Sequence, residues 1–179
     1  MHTINKGLKK YIEEYILPQY ENNDKGHGPS HIEYVTERCF KFASQFSNIN
    51  KDMLYAIASF HDIAHHIDKA RHEILSAEIF YKDEEMKRFF TDDERLIIKQ
   101  AIEDHRASAE SEPRSDYGKI ISSADRSTDV EDFLRRTHAY TLKHYVEDVQ
   151  YNAFRNKINE IINDRALFDK TYKGINGIR

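Results

Sequence analysis

The stretch Ala58-Ser59-Phe60-His61-Asp62-Ile63-Ala64-His65-His66 decides the fold class, because titratable side chains occur within a helical apolar pattern. His61 follows Ile57 by four positions, which places its imidazole on the buried side of a helix predicted over about 51–66. Asp62, the next residue, puts a carboxylate at the margin of that apolar stripe. Because a buried carboxylate needs a partner, the stretch predicts a helical core that encloses a polar site.

The same helical spacing continues on both sides of this stretch. It predicts a first helix from Ile4 that ends near Pro18, a second helix with Ser30 as its N-cap, and a later helix that opens with a capping box over 91–94. Two more helices, from Val130 and from Phe154, are expected to close the bundle. The predicted fold class is therefore all-α, in one domain over residues 1–179, with a core motif region at 31–126 and C-terminal helices at 127–179 packing on that core.

Composition supports a folded, helix-rich protein. The chain has 179 residues, 39% of them hydrophobic, with only six glycines and three prolines. A formal net charge of −4 argues against binding a nucleic-acid polymer, because nucleic-acid modules usually carry a basic excess. A small anion remains a suitable substrate, since a few local cations are enough to bind it.

The cysteine content and the N-terminal region indicate the cellular compartment of the protein. Cys39 is the only cysteine, so no intramolecular disulfide can form and a secreted disulfide scaffold is excluded. Residues 1–20 contain charged side chains without a continuous apolar run, which is typical of neither a signal peptide nor a membrane span. We therefore expect a cytoplasmic protein that makes no contact with a membrane.

Four donors with metal-ligand chemistry lie on apolar faces of separate helices. His31 precedes Val35 by four positions and Asp125 follows Ile121 by four, so both join His61 and Asp62 as inward-facing residues. Two imidazoles and two carboxylates without a thiolate suit Mn²⁺, Fe²⁺, Co²⁺ or Zn²⁺, with Mg²⁺ as a further candidate. The alternative for the same residues is a buried salt-bridge network, which is costly to desolvate.

An ion with open coordination positions favours phosphate chemistry. It lowers the pKa of bound water and polarises a phosphoryl oxygen, so hydrolysis of a phosphoester or phosphoanhydride is the reaction that it serves most directly. Four basic residues near the donors in sequence are candidates for holding phosphate oxygens. They are Lys69, Arg71, Arg106 and Arg126.

The order His31, then His61-Asp62, then Asp125, all on predicted helices, resembles the HD-domain superfamily of metal-dependent phosphohydrolases. The likeness covers roughly residues 31–126. The segment Arg71–Ala77, which contains His72, and the pair His105-Arg106 are similar to small stand-alone bacterial members. The resemblance implies an all-α fold and hydrolysis of a nucleotide or a related phosphate compound.

The resemblance also implies residue roles. His31, His61, Asp62 and Asp125 would bind one ion, and Asp62 would also take a proton from the attacking water. His72 and His105 would bind a second ion, as in two-metal branches, or contact the substrate phosphate, as in one-metal branches; we favour one ion with phosphate contacts.

His65 and His66 either end the helix, where an imidazolium suits the negative end of its dipole, or take part in catalysis. The role of His27, in a loop between two glycines, is left open.

The chain departs from two branches of the superfamily. Alarmone hydrolases carry two acidic catalytic residues where this chain has His65 and His66. Cyclic-dinucleotide phosphodiesterases carry a Gly-Tyr-Pro triplet, which occurs nowhere in this sequence. Both assignments are therefore disfavoured.

The sequence thus predicts a divalent-metal-dependent phosphohydrolase that acts on a small nucleotide or a related phosphorylated metabolite. The alternatives are a metal-binding helical sensor or interaction domain without turnover, and a helical bundle without metal. The aromatic-rich helices after Phe133 either cover the pocket or form a homodimer interface.

Overall fold

The structure is a computed structural model that describes residues 3–24, 26–106, 111–126, 152 and 156. The chain divides into two compact units, residues 1–125 and 126–179. Of the second unit, the structure describes Arg126, Asn152 and Asn156, and the two asparagines are helical and exposed. The two helices expected after residue 127 lie almost entirely outside the described residues.

The described part of the first unit contains six α-helices: α1 (Lys6–Tyr11), α2 (Pro29–Ala43), α3 (Lys51–Phe60), α4 (His72–Lys82), α5 (Asp92–Glu103) and α6 (Asp116–Ala124). A π-helical turn (Ile12–Ile16) and a 3-10 helix (Leu17–Asn22) follow α1, and a second 3-10 helix (Glu84–Arg88) joins α4 to α5. The described residues contain no strand, so the predicted all-α class is confirmed.

Helix α3 forms the centre of the first unit. All eight residues of Met53–Phe60 are buried, and a helix that is apolar on every side must be covered on every side. α2, α4, α5 and α6 all pack against it. None of the described helices is long and apolar enough to span a lipid bilayer.

Two predicted helix starts had different outcomes. The capping box at Thr91 and Glu94 is present, with each side chain accepting the backbone N–H of the other residue. The prediction that Ser30 caps α2 is wrong, because Gly28 is the N-cap and Pro29 is the first helical residue. Proline favours this first position because its fixed φ suits a helix and its missing N–H would have no partner there. His31 still lies in the first turn of α2.

The first helix also differs from the prediction. Instead of ending near Pro18, the helical path changes to π-helical and then 3-10 geometry and continues to Asn22. Pro18 lies at the start of the 3-10 helix, where its missing N–H breaks no hydrogen bond. This continuation brings Tyr20, which is fully buried, into the core.

The prediction that the central helix runs to His66 is wrong. α3 ends at Phe60, and residues 61–67 form successive tight turns with hydrogen bonds between residues three apart. Side chains replace the missing helical bonds, since the hydroxyls of Tyr20 and Ser76 accept the backbone N–H groups of Asp62 and Ala64, at 3.3 and 3.1 Å. His61 and Asp62 therefore lie just beyond the end of a helix, not within one.

Candidate metal centre

Four side chains from distant parts of the sequence meet in the first unit, and we call them the first ligand group: His31, His61, Asp62 and Asp125. The Nε2 atoms of the two histidines lie 3.3 Å apart. Asp125 Oδ1 lies 3.1 Å from His31 Nε2, and Asp62 Oδ2 lies 3.5 Å from each Nε2. The four donor atoms are all within 4.8 Å of one another, close enough to bind a single ion.

Asp62 also belongs to a second ligand group, with His72 and His105. Its Oδ1 atom lies 3.3 Å from Nε2 of each histidine, and those two Nε2 atoms are 3.1 Å apart. This oxygen is buried and accepts no hydrogen bond among the described residues. The two oxygens of Asp62 thus face different pairs of histidines, an arrangement suited to a carboxylate shared by two cations.

Helix ends position the donors. His61 is the C-cap of α3, Asp125 is the C-cap of α6, and His105 directly follows the C-cap of α5. The C-terminal end of a helix carries a partial negative charge. Three such ends lie at the two ligand groups, so the backbone itself favours a cation there.

Backbone carbonyls orient three of the four imidazole rings in these groups. In His61, His72 and His105, Nδ1 lies 2.9, 3.0 and 2.6 Å from the carbonyl oxygen of the residue three positions earlier. Because a carbonyl can only accept, each Nδ1 donates the hydrogen bond, and it is Nε2 of each ring that faces Asp62. Histidines that bind metals are commonly held in this way.

The facing Nε2 atoms need a positive charge between them. When both rings are neutral, the Nε2 atoms of His72 and His105 face each other at 3.1 Å as two lone pairs, a contact that is repulsive unless a proton or an ion lies there. The unpartnered oxygen of Asp62 beside them has the same requirement. Imidazole and carboxylate donors in this arrangement fit a divalent transition-metal ion.

In the ion-free protein, protons supply part of this positive charge. Burial lowers the pKa of His31, but hydrogen bonds with Asp125 and Asp62 outweigh burial and raise it to about 9. For Asp62, burial is outweighed by the charge of His61 and by the neighbouring imidazoles of His105 and His31, which hold its pKa well below the usual range. Burial, and then the charge of His105, lower the pKa of His72. The first ligand group therefore holds a proton that an ion would displace.

The family model described as the HD domain matches residues 30–128, which is more than half of the chain. The chain belongs to the HD-domain family. The matched span contains every residue of both ligand groups. The resemblance inferred from the sequence is confirmed, and the chain falls within a superfamily of metal-dependent hydrolases.

A solved structure supports the HD fold. The matched structure is that of a predicted HD superfamily hydrolase from an uncultured Thermotogales bacterium, and it is similar to this chain with a TM-score of 0.56 and 19% sequence identity. The match covers 88% of this chain and 87% of the other. Similarity at this level of identity concerns the fold alone. No curated protein matches the chain.

His65 and His66, the two histidines that follow the HD pair, lie in different surroundings. His65 is buried, and its ring centroid is 5.2 Å from that of His72. Burial, and then the charge of His27, lower the pKa of His65 to about 4. His66 is exposed, and its Nδ1 lies 3.0 Å from Asn23 Oδ1. Of the two, only His65 lies beside the ligand groups.

Two of the basic residues predicted to hold phosphate form ion pairs. Lys69 Nζ lies 2.6 Å from Asp24 Oδ2. Arg106 pairs with Glu73 at 3.0 Å, and its guanidinium also donates to the carbonyl of Ala70. These contacts position both cations near the segment that joins the HD pair to α4.

The other two basic residues differ in exposure. Arg71 is an exposed residue that precedes α4. Arg126 is buried and belongs to the second unit. Their predicted contacts with phosphate stay predictions.

Three side chains that were not among the predicted site residues hold the turn containing the HD pair. Tyr20 Oη donates to Ser59 O at 2.9 Å and accepts from the backbone N–H of Asp62. Asn23 Nδ2 lies 3.0 Å from the carbonyl oxygen of Asp62, and Ser76 binds the backbone farther along the turn. Tyr20 follows Ile16 by four positions, so the sequence places its hydroxyl on the apolar face of the helix. A buried hydroxyl needs a hydrogen-bond partner, and this was the feature that could have identified Tyr20.

Arg38 was also not predicted from the sequence. It lies on α2 and contacts the end of α6, next to Asp125. Its Nε and Nη2 atoms donate to the carbonyls of Ala124 and Ser123, at 2.9 and 3.2 Å. Its guanidinium also lies over the rings of Tyr34 and Phe42. Arg38 thus joins α2, which carries His31, to the end of α6, where Asp125 begins. The one feature of the sequence that could have identified Arg38 is its position beside the apolar residues of α2.

Proposed function

We propose that this HD-domain protein is a metal-dependent phosphohydrolase that cleaves a phosphoester or phosphoanhydride bond in a small nucleotide or a related phosphorylated metabolite. The observation that supports this proposal most directly is the convergence of the first ligand group on one point beside the second. Divalent ions bound there would activate water and polarise a phosphoryl oxygen. Asp62, which touches both groups, is the residue best placed to accept a proton from that water.

We propose two ions rather than the single ion that the sequence favoured. Asp62 directs one oxygen to each ligand group, and each group contains a pair of Nε2 atoms within 3.3 Å of each other. If His72 and His105 served only as phosphate contacts, no cation would lie between their Nε2 atoms and the buried Oδ1 of Asp62 in the absence of substrate. Imidazole-rich donors favour Mn²⁺, Fe²⁺, Co²⁺ or Zn²⁺ over Mg²⁺.

A small substrate suits the charge of the protein better than a polymer does. The formal net charge is −4, which repels the extended phosphate backbone of a nucleic acid. For a single phosphorylated metabolite, the negative charge of the phosphate has to be neutralised only at the site itself. The two ligand groups would provide it when loaded with ions.

Ion content of purified, ion-loaded variants tests this assignment. Asp62→Asn removes the shared carboxylate, so we expect both ions and all turnover to be lost. Asp125→Asn should lose the first ion only, and His105→Gln the second only. Asp93→Asn, an exposed carboxylate in the first turn of α5, is the matched control. Retention of both ions in the Asp62 variant would show that the ligand assignment is wrong.

A turnover assay separates the hydrolase from a sensor domain. The protein is incubated with nucleoside mono-, di- and triphosphates and with other phosphomonoesters, in the presence of Mn²⁺, Co²⁺ or Mg²⁺, and released phosphate and pyrophosphate are measured. Release that disappears in Asp62→Asn supports the hydrolase. Tight ion binding with no release from any compound would favour a metal-stabilised sensor instead.

A further inference from the structure

A third cluster of polar side chains lies next to the two ligand groups, and none of its members is a proposed ligand. We call it the outer cluster: Asp24, His27, His65 and Lys69. His27 and His65 stack face to face, with ring centroids 3.7 Å apart and an interplanar angle of 21°. His65 is buried, and the other three side chains are partly or largely exposed. The cluster therefore extends from the interior to solvent.

Asp24 organises this cluster. One carboxylate oxygen lies 2.7 Å from His27 Nδ1 and accepts the backbone N–H of Gly26, while the other lies 2.6 Å from Lys69 Nζ. Burial opposes the charge on Asp24, but hydrogen bonds with Lys69 and His27 hold its pKa well below the usual range. The carboxylate is thus fully engaged and fixes two nitrogen-bearing side chains. Lys69 retains two further N–H groups, and the second ring nitrogen of His27 is not used by Asp24.

His65 contributes a polar atom with no partner. Its side chain is only 6% exposed, and Nδ1 makes no hydrogen bond among the described residues. Leaving a buried polar group unpaired costs about 1–3 kcal/mol, so such a group in a polar cluster indicates a missing partner. A ligand oxygen would satisfy it.

The outer cluster touches both ligand groups. The ring of His27 meets that of His31 edge to face, with centroids 5.6 Å apart. The ring of His65 meets that of His72 in the same way at 5.2 Å. A phosphorylated compound that occupied the ligand groups would therefore lie next to this cluster.

The donors of the cluster suit an oxygen anion better than a third cation. Asp24, the cluster's only carboxylate, is already neutralised by Lys69. The stacked rings of His27 and His65 also cannot both direct a nitrogen at one ion without rotating out of the stack, because a ligating nitrogen points along its own ring plane. Lysine and imidazole N–H groups, in contrast, are common phosphate contacts.

We propose that the outer cluster binds a second phosphate group of the substrate, next to the one held at the ligand groups. This inference rests on the proposed phosphohydrolase function and narrows its substrate class to compounds with at least two linked phosphates. Lys69 and His27 contact the second phosphate, and Asp24 positions both.

Binding of stable phosphate compounds tests the inference without any turnover. Titration calorimetry on the Mn²⁺-loaded protein compares imidodiphosphate, which has two linked phosphorus centres and a P–N–P bond that resists hydrolysis, with inorganic phosphate. We expect imidodiphosphate to bind at least about tenfold more tightly than phosphate. Lys69→Met and His27→Phe should each weaken imidodiphosphate binding by about tenfold and leave phosphate binding and ion content unchanged.

The variants are chosen so that loss of folding does not explain the result. His27→Phe keeps an aromatic ring to stack on His65 while removing both nitrogens, and Lys69 is largely exposed. Lys82→Met, which removes another largely exposed lysine, on α4, is the matched control and should behave like the wild type. Thermal unfolding of each variant is measured alongside binding.

Three outcomes would overturn the inference. The first is equal affinity of the wild type for imidodiphosphate and phosphate. The second is a preference for imidodiphosphate over phosphate that is unchanged in both Lys69→Met and His27→Phe. The third is a third bound ion in the wild type that is absent from His27→Phe. If the preference is found but no compound is hydrolysed, the inference stands and the proposed phosphohydrolase function fails. If compounds are hydrolysed but the preference is absent, only the outer-cluster inference fails.

Discussion

Asp62 is the residue on which both ligand groups depend. It is 2% exposed, yet it carries a charge that burial alone would suppress. The charge persists because imidazoles from four other positions lie within 3.5 Å of its two oxygens. The sequence identified Asp62 as a buried carboxylate in need of a partner, and this prediction is the starting point for the whole site.

His31 makes ion binding depend on pH. Its pKa is raised to about 9 in the ion-free protein, so an ion must displace a proton below that pH. We expect Mn²⁺ affinity to rise with pH between about 6.5 and 9, by at most about tenfold per pH unit for each proton released. Titration of Mn²⁺ at a series of pH values measures this slope.

The same raised pKa affects the stability of the ion-free protein in the opposite direction. Protonated His31 stabilises the fold fully below its unfolded pKa of 6.5, and this contribution is lost as pH rises towards 9. Chemical denaturation in the presence of chelator should therefore show falling stability across that range. His31→Gln should flatten both pH dependences, and unchanged slopes in this variant would contradict the assignment.

Tyr20 supports the HD turn through its hydroxyl alone. Tyr20→Phe keeps the buried ring but leaves Ser59 O and the backbone N–H of Asp62 without partners, which should reduce the free energy of unfolding by about 1–3 kcal/mol. We also expect weaker Mn²⁺ binding, because the backbone of Asp62 is no longer held. Urea denaturation and Mn²⁺ titration measure the two effects. Tyr15→Phe, at an exposed position, should change neither.

At the scale of elements, helix ends determine the site. The apolar spacing correctly indicated that the central helix is buried, but it gave no sign that α3 stops at Phe60. The helix stops because hydroxyl groups and the ring of His61 take over hydrogen bonds that a continuing helix would have made. The two hydroxyls belong to Tyr20 and Ser76 in other elements, and spacing within one helix contains no information about them.

Arg38 joins two elements that each carry a ligand. Arg38→Lys keeps the positive charge but removes the fork that reaches two carbonyls at the end of α6. We expect the first ion to bind about tenfold more weakly, because Asp125 is less well positioned, while the second ion binds normally. Stepwise Mn²⁺ titration distinguishes the two affinities.

A second arginine variant provides the control for this experiment. Arg88→Lys alters an exposed residue outside both ligand groups and should leave both ion affinities at the wild-type value. Equal weakening of both ions in Arg38→Lys would indicate a general loss of structure. Unchanged binding of both ions would show that Arg38 does not position Asp125.

At the scale of the whole molecule, ion binding should stabilise the first unit, since its ligands come from elements far apart in sequence. An ion at 100 times its Kd contributes about 2.7 kcal/mol, which for a chain of this size raises Tm by about 5–10 °C. We expect chelation to lower Tm by a similar amount and Mn²⁺ to restore it, as followed by circular dichroism. The Tm of Asp62→Asn should change with neither chelator nor Mn²⁺. A wild-type Tm that does not change when chelator is added would contradict the proposed site.

The sequence by itself determined the all-α class and the buried central helix, and it predicted that His31, His61, Asp62 and Asp125 face inward. These follow from spacing of three and four positions, which depends only on neighbouring residues. Only the tertiary structure brought His72 and His105 to the second oxygen of Asp62, moved His66 away, and paired Lys69 with Asp24. Each of these depends on where one element packs against another, and that packing is set by contacts between residues that are distant in the chain.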